Sequence, residues 1–182
     1  MNLKAKLKKI KMFILDVDGV LTDGGLIVGH DGFEYIRFNV QDGAGIVFAQ
    51  KFGYRFAILT GRDTPIVTRR AEMLHIEDVY QKQLFKIDAY EEILKKYHLR
   101  DEEVCYIGDD LLDIPVLKRV GFSVAPASAV KDVIKYADYI TKRVGGDGAV
   151  REVIDLVLDA SSVKKELIDK ISDKTLPQIK LI

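Results

Sequence analysis

"FILDVDGVLTDGG", residues 13–25, ends an apolar run on two aspartates one residue apart, and glycines follow at once. Phe13-Ile14-Leu15 has no polar member, so it reads as a buried strand of a parallel sheet. An unpaired carboxylate at the end of such a strand is costly to bury, so Asp16 and Asp18 call for partners. Asp-Gly pairs also make ordinary turns, and the pair by itself decides nothing.

The same rhythm repeats outward from this strand. "MFILD" (12–16), "RFAILTG" (55–61), "DVYQ" (78–81), "VCYIGD" (104–109), "FSVA" (122–125) and "DYIT" (138–141) read as strands. Between them, "GAGIVFAQKFG", "DTPIVTRRAEMLHI", "KIDAYEEILKKYHL", "LDIPVLKRVG" and "AVKDVIKYA" space their apolar residues near the helical period, and "GAVREVIDLVLDA" adds a last helix. This alternation predicts an α/β fold: a Rossmann-like, mostly parallel sheet with helices on both faces. One segment departs from it. "GLIVGHDGFEYIRFNV" (25–40) reads as two strands around His30-Asp31-Gly32, an inserted β-hairpin. Residues 1–160 are expected to form one domain and 161–182 a tail whose weak helical pattern Pro177 ends.

Length and composition suit that reading. A chain of 182 residues with 48% hydrophobic and 31% charged residues fits one globular domain. Lys+Arg and Asp+Glu are both 28, and the resulting net charge of +0 argues against a nucleic-acid or membrane-surface partner. The single cysteine, Cys105, lies in the apolar "VCYIG" and reads as a core residue, which suits a reducing cytoplasm. "KAKLKKIK" before "MFIL" has the charge of a signal peptide, but Asp16 interrupts the apolar stretch far too early for one.

In an open parallel sheet, ligands bind beyond the carboxyl ends of the strands. Three predicted strands end there in polar residues: Asp16 and Asp18, then Thr60-Gly61-Arg62, then Asp109-Asp110 with Asp113 a turn on. Lys86 opens the helix after the third strand, "DVYQ". Thr60 as a cap, Asp110 and Asp113 as a turn and a helix cap, and Lys86 as a solvated side chain are the ordinary explanations of each. Together they have one explanation, because crowded carboxylates repel unless a cation sits among them. Hard oxygen ligands suit Mg²⁺, and a hydroxyl, a lysine and backbone amides suit a phosphoryl group.

D16-V-D18-G-V-L-T22-D, T60-G61-R62, Lys86 and G108-D109-D110-L-L-D113 together resemble the four-motif signature of the haloacid dehalogenase superfamily phosphatases, over about residues 10 to 158. The resemblance implies an aspartyl-phosphate mechanism: Asp16 as nucleophile, Asp18 as general acid and base, Thr60 and Lys86 on the phosphoryl oxygens. It implies Mg²⁺ on Asp16, Asp109 and the carbonyl of Asp18, with Asp110 and Asp113 orienting Lys86 or bound water. "DKTLP" (173–177) is similar to the phosphorylation segment of ion-pumping ATPases, but Leu176 stands where a glycine belongs and no strand precedes it.

The intervals Asp18–Thr60 and Thr60–Lys86 have no room for a cap domain, so the substrate is macromolecular or a neighbouring subunit supplies the lid. "GVLTDGGLIVGHDGFEYIRFNVQDGAGI", "LTGR" and "GGDGAVREVIDLVL" resemble the 3-deoxy-D-manno-octulosonate 8-phosphate phosphatase family, which serves lipopolysaccharide sugar synthesis. That resemblance implies a cytoplasmic homotetramer built through the hairpin, a sugar-acid phosphate as substrate, and neighbours completing each site. It places Asn39, Val40, Gln41, Asp42 and Gly43 along the substrate, with Arg62 and Arg70 on its carboxylate. Two departures are Val47, where a basic residue is expected, and Gln41, where arginine is frequent. They leave open a nonulosonate 9-phosphate or a broad small-molecule phosphatase, and, from a different class, a binding module without catalysis.

Overall fold

The computed structural model describes residues 2–177. Six parallel strands form one sheet in the order β5-β4-β1-β6-β7-β8. They are β1 (Met12–Leu15), β4 (Arg55–Leu59), β5 (Asp78–Tyr80), β6 (Val104–Ile107), β7 (Phe122–Ala125) and β8 (Tyr139–Ile140). β2 (Ile27–Val28) and β3 (Glu34–Tyr35) make a separate antiparallel pair. The helices are α1 (Leu3–Leu7), α2 (Val40–Gln50), α3 (Pro65–Met73), α4 (Lys86–Tyr97), α5 (Ile114–Leu117), α6 (Lys131–Ile134), α7 (Ala149–Ala160) and α8 (Val163–Ser172).

Strand alternation divides the core in two. Phe13 and Leu15, Phe56 and Ile58, and Cys105 and Ile107 face one layer with apolar residues of α1, α2, α3, α7 and α8. Met12 and Ile14, Ala57 and Leu59, and Val104 and Tyr106 face the other, with α4, α5 and α6. Both faces are covered, which is why the strands read as continuous apolar runs rather than alternating ones. β1 is hydrogen-bonded to β4 on one side and β6 on the other. The chain winds outward through β4 and β5, then returns to begin again at β6. That reversal opens a crevice at the carboxyl end of β1.

Several predicted boundaries move. The hairpin strands are two residues each: the chain turns at Gly29–Gly32 and leaves the pair by Ile36, and Phe38 packs against the core. Helix α2 begins at Val40, three residues before the predicted stretch, because the Asn39 side chain accepts from the Gln41 and Asp42 amides and caps it. "LDIPVLKRVG" is a 3₁₀ turn at Leu111–Asp113 followed by the four residues of α5. "KAKLKKIK" holds α1, capped by Asn2 and anchored by buried Leu7. The tail carries α8, packed through Leu167, and ends its helix at Ser172. Residues 178–182 of the predicted tail lie outside the described residues.

Candidate active site

Asp16, Asp18, Thr60, Arg62, Lys86, Asp109 and Asp110 line one cavity of about 490 Å³ at the carboxyl end of β1. Backbone ladders extend just far enough to fix Asp16 and Thr60. The Asp16 amide donates to the Ile107 carbonyl at 3.0 Å, and the Thr60 amide to the Tyr80 carbonyl at 2.9 Å. Lys86, at the start of α4, is 2% exposed, and its ammonium lies 2.9 Å from Asp16 Oδ2 and 2.6 Å from Asp113 Oδ1. Burial alone would lower the lysine's pKa, but these two carboxylates raise it, so it stays charged.

Asp113 is the anchor beneath this pair. Its Oδ1 accepts from Lys86 and from the Tyr106 hydroxyl, and its Oδ2 from the Asp109 and Asp110 amides at 2.8 and 3.0 Å. Oxygens of Asp16, Asp109 and Asp113 lie within 4.8 Å of one another. Asp113 already has four donors, so the carboxylates with capacity for a metal are Asp16 and Asp109. Asp109 Oδ1 is buried without a hydrogen-bond partner, an arrangement a protein avoids unless a cation or substrate completes it. Burial, and then the charge of Asp113, push the Asp16 carboxyl up to about 7 against the pull of Lys86. Burial and the charge of Asp16 push Asp109 up to about 7 as well. Gly19 permits this crowding. It has φ +78°, and a Cβ there would lie 1.9 Å from Asp109 Oδ2. Oxygen-only donors around an anionic hole fit Mg²⁺.

The comparisons with known proteins agree with this geometry. Residues 71–154 match the family described as haloacid dehalogenase-like hydrolase. The 3-deoxy-D-manno-octulosonate 8-phosphate phosphatase of Escherichia coli strain K12 is 47% identical over 154 residues, 85% of this chain and 82% of that protein. The chain belongs to the haloacid dehalogenase-like hydrolases. Among solved structures, the phosphatase of the same name from Yersinia pestis superposes with a TM-score of 0.88 at 42% identity, covering 90% of this chain and 88% of that one. The Moraxella catarrhalis phosphatase, solved with magnesium, phosphate and a KDO molecule, gives a TM-score of 0.90 at 38% identity, covering 92% and 97%.

Not every predicted site residue of this haloacid dehalogenase-like hydrolase reaches the cavity. None of Asn39, Val40, Gln41, Asp42 and Gly43 lines it, because the segment is the cap and first turn of α2. Arg62 and Arg70 do not share a helix face, since α3 starts at Pro65 and leaves Arg62 in the preceding loop. The Arg62 guanidinium instead spans Asp18 (3.4 Å) and Glu34 (2.8 Å). Arg70 lies over the Phe38 ring and donates to the Asn39 carbonyl, with its Nε buried and unpartnered. Thr64, not Thr60, caps α3. Asp110 caps the 3₁₀ turn through the Leu111 amide, whereas Asp113 alone of the two holds Lys86. Val47 is 3% exposed in the core, so its departure from the expected basic residue does not touch the cavity.

Two contributors went unread in the sequence. Tyr106 sits in an apolar strand and its hydroxyl reaches Asp113 only through the register of β6, for which no local signal exists. Leu84, Phe85, Leu111 and Leu112 are exposed apolar residues beside the catalytic groups. Two of them, Leu84 and Leu112, line the cavity. They flank Lys86 and Asp110 in sequence, and their adjacency to the motifs was the available signal.

Proposed function

We propose that this chain is a Mg²⁺-dependent phosphatase acting on a sugar-acid phosphate, namely 3-deoxy-D-manno-octulosonate 8-phosphate, through an aspartyl-phosphate on Asp16. The observation that carries this reading is the pair of Asp16 and Asp109, two crowded carboxylates with an orphaned buried oxygen, set against an ammonium that Asp113 fixes. The named relatives, at 46–47% identity, supply the substrate.

The Asp16 carboxylate attacks phosphorus in line as the bond to the sugar oxygen breaks. Asp18, about a third exposed in the cavity, gives its proton to the departing oxygen. It then takes a proton from the water that attacks the aspartyl-phosphate, releasing phosphate and restoring Asp16. Lys86 has three donors, two already engaged, and the third is left for a phosphoryl oxygen. The Thr60 hydroxyl accepts from the Arg62 amide and keeps its own proton for a second phosphoryl oxygen. Mg²⁺, held by Asp16, Asp109 and the carbonyl of Asp18, supplies charge compensation on the phosphoryl group when bound. Arg62, which lies beside Asp18 in the cavity, is the group this reading assigns to the substrate's carboxylate.

The reading includes a cytoplasmic homotetramer. Ile27, Val28, Phe33 and Tyr35 are each at least 60% exposed on the hairpin, and a capless cavity gains a lid if hairpins from several subunits associate. Cytoplasmic location is supported by one cysteine, buried in β6. Among the described residues no helix is long and apolar enough to cross a membrane.

A substrate panel tests the assignment. Octulosonate 8-phosphate should exceed nonulosonate 9-phosphates and p-nitrophenyl phosphate in kcat/KM, with chelation abolishing turnover of all three. Equal kcat/KM across the panel would replace the sugar-acid assignment with a broad phosphatase.

A further inference from the structure

We infer that Asp42 is a positioning residue for the loop that carries Asp18, acting through the double-glycine turn Gly145-Gly146. The inference rests on the phosphatase reading for its kinetic consequences and on the geometry alone for its structural ones. Asp42 is 1% exposed and points away from the cavity, into the start of α7. Helix α7 begins after Gly148, which has no side chain to cap it. Asp42 supplies the cap from α2: its Oδ2 accepts from the Gly148 amide at 3.2 Å and its Oδ1 from the Arg151 amide at 2.7 Å. Those are the two amides a capping box would satisfy within one chain segment.

The turn that α7 thereby holds presses on the catalytic loop. The Gly146 amide donates to the Val20 carbonyl at 2.9 Å, and the Gly145 amide donates to Ser128 Oγ at 3.1 Å. The backbones approach so closely that a Cβ on Gly145 would lie 1.8 Å from the Gly19 carbonyl oxygen, and one on Gly146 2.3 Å from the Asp23 amide nitrogen. From the other side Thr22 closes the same loop, its hydroxyl accepting from the Gly19 and Gly24 amides and donating to the Val17 carbonyl. Residues 17–24 are therefore clamped between their own threonine and a turn whose place depends on Asp42. Asp18 and Gly19, on which the general acid and the approach of Asp109 depend, lie inside that clamp.

Asp42→Ala, Asp42→Asn and Gly145→Ala form the test, with each protein measured well below its own melting temperature. Hydrogen exchange of the peptide covering 16–24, in protein without added metal, should be faster in Asp42→Ala by roughly tenfold or more, while β4 amides keep their protection. In Asp42→Ala and Gly145→Ala, kcat on p-nitrophenyl phosphate and on the sugar-acid phosphate should fall together, by roughly 10- to 100-fold, with KM little changed. Asp42→Asn keeps one acceptor for the Arg151 amide and should recover most of both losses. Unchanged exchange at 16–24 in Asp42→Ala would overturn the inference, whether or not the enzyme turns over. So would a loss confined to the sugar-acid phosphate, which would make Asp42 a substrate contact. A wild type that releases no phosphate contradicts the phosphatase reading, and the exchange result then decides this inference.

Discussion

At the scale of single residues, the site is built to be unfavourable when empty. Asp16, Asp109 and Asp113 crowd around one ammonium, and only Asp113 has enough donors to offset its burial. Removing one negative charge should relieve the repulsion at the expense of the metal. Asp109→Asn is expected to raise the melting temperature of the metal-free protein at neutral pH. It should also abolish the upward shift that Mg²⁺ gives the wild type, a shift worth about 2.7 kcal/mol at a hundredfold excess over Kd. Thermal melts with and without Mg²⁺ check both halves, and a metal-induced shift that survives in the variant would remove Asp109 from the ligand set. The residues alone pointed to carboxylates, a hydroxyl and a lysine meeting at one sheet edge. The roles of Asp16, Asp18, Lys86 and Asp109 came from the resemblance of the four motifs. Asp42 was expected along the substrate, and its bonds to the Gly148 and Arg151 amides carried no signal in the sequence.

At the scale of elements, the strands were legible, whereas the short helices were read longer than they are or, for α1, not at all. Doubly buried strands leave unbroken apolar runs, which is why β1, β4, β6 and β7 fall where their sequences place them. The stretches read as helical over 112–121 and 129–137 hold α5 and α6, but each helix is only four residues long, and α1 is recognisable only by its Asn2 cap and one buried leucine. The start of β6 carries a testable electrostatic tie. The Lys11 ammonium, 2.6 Å away, and the Arg100 amide, at 2.9 Å, hold the Glu103 carboxyl down to about 2 from an ordinary 4.5. A depressed carboxyl contributes its stability in full above the unfolded value and loses it as pH falls. Wild type should therefore lose more stability than Glu103→Gln as pH drops from about 4.5 to about 2, in parallel denaturant titrations. Identical slopes would show that the tie contributes nothing. The hairpin is the other exposed element. On the proposed homotetramer, Phe33→Asp with Tyr35→Asp should give a smaller species in light scattering and lower kcat/KM for the sugar-acid phosphate far more than for p-nitrophenyl phosphate. Phe38 is unsuitable for that test because it packs against the core.

At the scale of the molecule, the parallel order β5-β4-β1-β6-β7-β8 brings three strand ends to one crevice, and the chemistry follows from which residues end them. That convergence could be read from the alternation of strands and helices. The way α2 and α7 lock the loop from behind could not, since Asp42 and Arg151 are 109 residues apart in sequence and no local pattern marks their pairing. The absence of room for a cap was legible in the sequence, and among the described residues the hairpin and the cavity rim leave apolar side chains exposed. The central claim is that Asp16 attacks a sugar-acid phosphate in a Mg²⁺-dependent site. Its most direct measurement is phosphate release from 3-deoxy-D-manno-octulosonate 8-phosphate by wild type and by Asp16→Asn, each with Mg²⁺ and with chelator. The account predicts turnover by wild type with Mg²⁺ alone and none in the other three samples, whereas turnover by Asp16→Asn near the wild-type rate would contradict it.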